Sequence, residues 1–160
     1  MEIEDIPTPP KPHAIIIAFG LQGHVIPAVH LAIKLASKGL TITFVNTEVI
    51  HHEITKSKRH EVGSDDHQND IFAGARNSGL DIRYRTVCNG FPIEFNRPAN
   101  LEKFHEGYLN NLPNYMDELV GDILRDVTSV SCLIVDTFYT WTSQIAKKYN
   151  LAPFISLLRV

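Results

Sequence analysis

Residues His13–Phe19, HAIIIAF, form an unbroken apolar run rich in isoleucine. Such a run belongs to a strand covered on both faces, which is the setting of a parallel sheet. A short loop, Gly20–Ile26, follows it. Pro27 then suits the first turn of a helix and Gly39 its C-terminal cap. Between them lies AVHLAIKLASK, with Lys34 and Lys38 on one outward face. A second strand, Thr41–Asn46, completes a strand–loop–helix–strand unit. This βαβ crossover is how a doubly wound sheet begins.

The alternation continues along the chain. Glu48–Lys56 reads as a short helix, Ser57–Asn69 as a polar, aperiodic, mobile loop, and Ile71–Asn77 as a helical turn. Asp81–Val87 alternates as a third strand, and Asn89-Gly90-Phe91-Pro92 makes a turn. Leu101–Arg125 carries a long helix that Pro113 interrupts or bends. Ser131–Val135 is a fourth strand ending at Asp136, Phe138–Tyr149 a helix, and Pro153–Leu158 the start of a fifth strand. Residues 1–12, acidic and proline-rich, read as a flexible leader, and 13–160 as one domain. The fold class is α/β: a Rossmann-like, doubly wound parallel sheet with helices on both faces.

Composition excludes several classes. The 160 residues suffice for one self-supporting core. Net charge is −3, and the densest basic stretch, Lys56–His60, runs at once into Glu61, Asp65 and Asp66. No clustered positive face is available for nucleic acid. Cys88 and Cys132 are too few for a disulfide framework or a zinc set and read as reduced core thiols. His51-His52-Glu53 lacks the HExxH spacing, so no metal is expected. The apolar run Ala14–Leu21 falls short of the ~20 residues of a membrane span and lacks a basic leader. The expected location is cytoplasmic.

Ligands of such sheets bind at the carboxyl ends of the strands, near the switch in strand order. Two features stand there: the loop Gly20-Leu21-Gln22-Gly23-His24 after the first strand, and Asp136-Thr137 after the fourth. The loop has neither GxGxxG nor GK[ST] spacing, so it is neither a dinucleotide fingerprint nor a P-loop. It offers a histidine at the mouth of a helix, and Gly23 lets the backbone approach a ligand. With an ordinary pKa of ~6.5, an imidazole there suits a base, and Asp136 is its natural carboxylate partner. His24 reads equally well as a capping or packing residue, and Asp136 as the N-cap of the next helix. Phe91, Pro92, Phe138 and Tyr139 either line an apolar pocket or belong to the core, and Trp141 reads as packing.

Phe19-Gly-Leu-Gln-Gly-His-Val-Ile-Pro27 resembles the first-loop motif of plant family-1 UDP-glycosyltransferases. Thr43–Thr47 is similar to that family's second strand, and Asn89–Pro92 to its Asp-Gly-Phe/Leu-Pro turn, with asparagine for aspartate. Leu133–Phe138 followed by Trp141 resembles the strand carrying the family's catalytic aspartate. The ordered set covers residues 13 to about 156. The resemblance implies the N-terminal, acceptor-binding half of a two-domain, inverting GT-B enzyme. It implies His24 as catalytic base and Asp136 as its partner. Gln22, Gly23, Phe91, Pro92, Phe138 and Tyr139 would bind the acceptor, a small hydroxyl compound. The UDP-sugar is a co-substrate held mainly by the other domain; no cofactor is needed. The family's donor-binding signature does not occur, and Pro153–Ser156 runs into Leu157-Leu158-Arg159-Val160 where the resemblance implies an aromatic pair and a threonine. This reads as a truncated or misread gene model or a shortened splice product, inactive alone. The alternatives are a non-catalytic small-molecule-binding half-domain and, against the missing phosphate loop, a flavodoxin-like nucleotide-binding domain.

Overall fold

The structure is a computed structural model that describes residues 7–59, 70–127 and 129–156. Its strands are β1 His13–Ile17, β2 Thr41–Thr47, β3 Ile82–Val87, β4 Val130–Asp136 and β5 Ala152–Ser156. They form one parallel sheet in the order β3-β2-β1-β4-β5. The helices are α1 Gln22–Ser37, α2 Glu48–Arg59, α3 Ala73–Asn77, α4 Leu101–Asp126 and α5 Thr142–Lys148, with a 3-10 turn at Pro98–Asn100 leading into α4.

β1 is the central strand, and every residue of it is buried. Successive side chains of a strand point to opposite faces, so its apolar run feeds two cores. Ile15 and Ile17 pack with Val45, Leu133 and Val135 under α4 and α5. Ala14, Ile16 and Ala18 pack with Ile42, Phe44 and Phe72 under α1, whose Ala28, Ala32 and Ala36 lie on one face at fourfold spacing.

Several boundaries differ from the sequence expectation. α1 starts at Gln22, so His24 lies in its first turn and not in a loop before it. The extended N-cap residue Leu21 accepts from the amides of His24 (2.9 Å) and Val25 (3.0 Å). Pro27 then falls inside the helix, where it lacks the amide that would bond the Gly23 carbonyl. Gly23 is exposed, so water can meet that oxygen. α4 runs uninterrupted through Pro113, held down by Leu112, Met116, Leu119, Val120 and Ile123. α5 begins at Thr142 and not at Phe138. The amides of Phe138 and Tyr139 are spent on Asp136, the first on Oδ1 (3.1 Å) and the second on the carbonyl (3.1 Å). Asp136 therefore caps a turn and not that helix. α2 persists to Arg59, past the expected start of the aperiodic loop at Ser57. Residues 60–69 and 157–160 lie outside the described residues, as does the leader up to residue 6.

His13 opens β1 only 1% exposed, its Nε2 2.7 Å from Thr43 Oγ1 and its Nδ1 without a partner among the described residues. Burial, and then the nearby Arg83, lower its pKa from 6.5 to about 4, against Asp81. The folded chain thus keeps His13 neutral in a range where the unfolded chain protonates it. Its contribution is complete above about pH 6.5 and is lost as pH falls through about 4, a difference of about 3 kcal/mol. His13→Gln, which keeps a polar group near Thr43, should reduce the acid sensitivity by that amount. Urea midpoints of both proteins at about pH 7 and about pH 4.5 check this. Equal acid losses would contradict it.

Candidate active site

β1 and β4 are parallel neighbours, with Ile17 opposite Val135. Both leave the sheet at the same edge, where the chain switches from building one side of the sheet to building the other. From there β1 runs through Ala18–Leu21 into α1, and β4 ends on Asp136. The two exits bring His24 Nδ1 to 2.7 Å from Asp136 Oδ2. The Asp136 side chain is 1% exposed and that of His24 23%. Asp136 Oδ1 accepts the Phe138 amide, so each carboxylate oxygen has a donor. An ionised carboxylate can only accept, so Nδ1 donates, and in the neutral imidazole the lone pair falls on Nε2. Nε2 makes no hydrogen bond among the described residues.

Aromatic rings bracket the imidazole. Phe19 and Phe138 meet it edge-on at 5.3 and 5.2 Å between centroids, and touch one another at 5.1 Å. The series continues from Phe19 to Tyr108 (6.1 Å), Phe104 (5.4 Å), Phe91 (5.3 Å) and Phe95 (4.6 Å). Phe138 is 59% exposed. An apolar wall therefore flanks the imidazole.

Phe91 is set by the turn before it. Buried Asn89 accepts the Phe91 amide on Oδ1 at 3.1 Å, and Gly90 takes a φ of 85°. Either Asn or Asp supplies that oxygen, so the asparagine here leaves the turn intact. Gly107 on α4 faces the ring: a Cβ there would stand 2.4 Å from Phe91 Cζ and 2.7 Å from Cε2. Gly107→Ala should push Phe91 out of the wall and lower the unfolding midpoint. Thermal unfolding with near-UV circular dichroism checks it. The ~1 kcal/mol stabilisation usual for Gly→Ala in a helix, with an unchanged aromatic spectrum, would be the contrary result.

The remaining sequence-nominated residues fall as follows. Gln22 is the first residue of α1, and its side chain lies outside the described set. Gly23 follows it in open space, where a Cβ would meet nothing within 4 Å, so the fold alone does not require glycine there. Pro92 is exposed next to Phe91. Of the two places the sequence left open for Tyr139, pocket or core, the structure gives it the core. It is 5% exposed, and its hydroxyl is spent on Tyr108 Oη (2.8 Å) and the Ala18 carbonyl (3.3 Å). It supports the wall from behind, with Trp141 packed on it at 4.9 Å as expected of a core residue. Phe19, Phe104 and Tyr108 were not singled out from sequence. The fourfold spacing of Phe104 and Tyr108 on α4 was the available signal. A separate cavity of about 490 Å³ between α1 and α2, walled by Val25, Val29, Ile50 and Ile54, shares no residue with the dyad. Among the described residues, no group of three or more His, Cys, Asp or Glu could hold a metal, and no helix is long and apolar enough to cross a membrane.

A parallel sheet with a His–Asp pair at its switch point defines a Rossmann-like domain. No protein-family model matches the chain. UDP-glycosyltransferase 86A1 of Arabidopsis thaliana is 52% identical over 143 residues, 88% of this chain and 28% of its own length. UDP-glycosyltransferase 86A2 of the same plant is 47% identical over 140 residues, 87% of this chain and 27% of its own length. Os79 from O. sativa, solved in complex with U2F and trichothecene, superposes with a TM-score of 0.64 at 17% identity, covering 92% of this chain and 29% of that one. The chain belongs to the plant UDP-glycosyltransferases and corresponds to the N-terminal part of their GT-B fold, spanning under a third of the relatives' length.

Proposed function

We propose that this chain is the acceptor-binding, base-carrying part of an inverting UDP-sugar-dependent glycosyltransferase acting on a small hydroxyl compound. The observation that carries the reading is the 2.7 Å His24–Asp136 contact, which leaves Nε2 unprotonated beside an open aromatic wall. Nε2 takes the proton of the acceptor hydroxyl. The oxygen attacks the anomeric carbon from the side opposite the UDP, which leaves with the bonding pair, so the configuration inverts. Asp136 holds the ring by Nδ1 and stabilises the imidazolium as it forms. The UDP-sugar is a co-substrate, bound mainly by the family's donor-binding part. Phe138, Phe19 and Phe91 offer flat apolar surface, which favours an acceptor with a ring or fused-ring body. Gln22, Gly23 and Pro92 lie near the same edge and complete the acceptor-binding set. The free thiols Cys88 and Cys132 suit a reducing compartment, and we place the protein in the cytoplasm.

The test joins residues 1–156 to the remainder of the 52%-identical relative and assays transfer from a UDP-sugar to a panel of phenolic and alicyclic alcohols. Product formation that requires the UDP-sugar is expected. A folded chimera that binds acceptors without turning any over would point instead to a non-catalytic binding half.

A further inference from the structure

We propose that Tyr108 and Tyr139 form a latch that holds the β1–α1 loop, and so sets His24 against Asp136; both are positioning residues, not catalytic ones. The inference rests on the His24 reading above and goes beyond it, since neither tyrosine touches the dyad directly through its hydroxyl.

The hydrogen bonds have one consistent direction. The Ala18 carbonyl can only accept, so Tyr139 donates to it (3.3 Å). Tyr139 has then spent its proton and accepts from Tyr108 (2.8 Å). Tyr108 Oη in turn packs against Gly20. The approach is close: a Cβ on Gly20 would stand 3.4 Å from Tyr108 Oη. The two hydroxyls thus flank Phe19, that of Tyr139 bonded to the Ala18 carbonyl and that of Tyr108 packed against Gly20. They come from α4 and from the turn after β4, the same turn that begins at Asp136.

Phe19 transmits the constraint. Its ring contacts Tyr108 (6.1 Å), Tyr139 (5.3 Å) and the imidazole of His24 (5.3 Å). With Phe138 it leaves the imidazole little freedom to rotate away from the carboxylate. Burial is the main influence raising the pKa of both phenols, so both keep their protons at neutral pH and the direction of the chain of bonds is stable. Removing the Tyr139 hydroxyl leaves the Ala18 carbonyl without its donor, and removing that of Tyr108 takes away the donor to Tyr139 and the contact with Gly20, so either change loosens residues 18–20.

Histidine labelled with 15N reports the effect in the 160-residue chain itself, because the two ring nitrogens distinguish the tautomers. The His24 signals are assigned by their absence in His24→Gln. In the wild type, His24 should be protonated on Nδ1. Tyr139→Phe and Tyr108→Phe keep the rings and remove one hydroxyl each. Each should lower the ratio of Nδ1-protonated to Nε2-protonated His24 roughly fivefold, the factor of one ordinary hydrogen bond. Tyr115→Phe, an exposed site on the same helix, should leave the ratio unchanged. A wild-type His24 with no preference for Nδ1 would overturn the dyad and the latch with it. A clear preference that persists in both Tyr→Phe variants would overturn the latch alone. Loss of the fold in both variants would also overturn it, by making the pair a core fixture.

Discussion

His24→Ala in the chimera should lower sugar transfer on the order of 10²–10⁴-fold, the usual worth of a positioned general base. In free energy that is about 3–5 kcal/mol taken from the transition state. The loss should fall on kcat. The acceptor's KM should change little, because the Phe19–Phe138–Phe91 surface is untouched. Among the described residues no second base stands in reach: the ring and hydrogen-bond neighbours of the imidazole are two phenylalanines and the carboxylate it is paired with. Asp136 cannot substitute, being 1% exposed and turned toward Nδ1. The variant leaves Asp136 Oδ2 without its donor, which costs about 1–3 kcal/mol of stability unless water enters the vacated position. His24 is partly exposed, so that entry is open and the chimera should stay folded. Steady-state rates with thermal unfolding of the same samples check the point. A folded variant that loses less than about tenfold would remove His24 from the base role.

The sheet was legible in the sequence because β1 carries both faces of the core in one run. An apolar residue at every position from Ala14 to Phe19 has no place in a half-solvated strand, so a parallel, doubly covered sheet followed from HAIIIAF alone. The start of α1 was not legible. Leu21 caps it through backbone geometry, φ −126° and ψ 140°, with no side-chain bond, so the Ser, Thr, Asp or Asn that usually marks an N-cap is missing. Pro27 was the stronger signal and drew the boundary too late. α5 was misplaced for the opposite reason: Asp136 looked like its cap, while its oxygens were engaged in the turn before it. Spacing alone could not bring His24 to Asp136. Their contact depends on β4 lying beside β1, and a sequence shows strands without showing which are neighbours. Placing both residues at strand carboxyl ends made it an expectation, and the strand order made it a contact. Sequence left Tyr139 open between pocket and core, because its ring suits either and its hydroxyl gives no sign, in sequence, of a partner on α4.

Asp136→Asn should cost about as much activity as His24→Ala, and more than Asp136→Ala. The reason is the Phe138 amide. It donates to Oδ1 at 3.1 Å, and an asparagine of the same shape can meet that donor only with its carbonyl oxygen. Its NH2 group is then left facing His24 Nδ1, at the position where Oδ2 now accepts at 2.7 Å. Two donors cannot share that contact. The imidazole moves its proton to Nε2, so that Nδ1 accepts from the amide. Nε2 then has no lone pair with which to take the proton of the acceptor hydroxyl, and the ring is held in the wrong tautomer by a good hydrogen bond. Alanine removes the carboxylate without imposing this. The freed imidazole samples both tautomers in contact with water, and part of the population keeps a basic Nε2. The expected order of kcat is wild type, then Asp136→Ala, then Asp136→Asn, with the last down on the order of 10²–10⁴-fold. Rates for the three chimeras give the order, and 15N spectra of His24 in the same proteins give the tautomer. An asparagine variant more active than the alanine variant, or one whose His24 remains protonated on Nδ1, would show that the Phe138 amide does not direct the side chain and that Asp136 acts by charge alone.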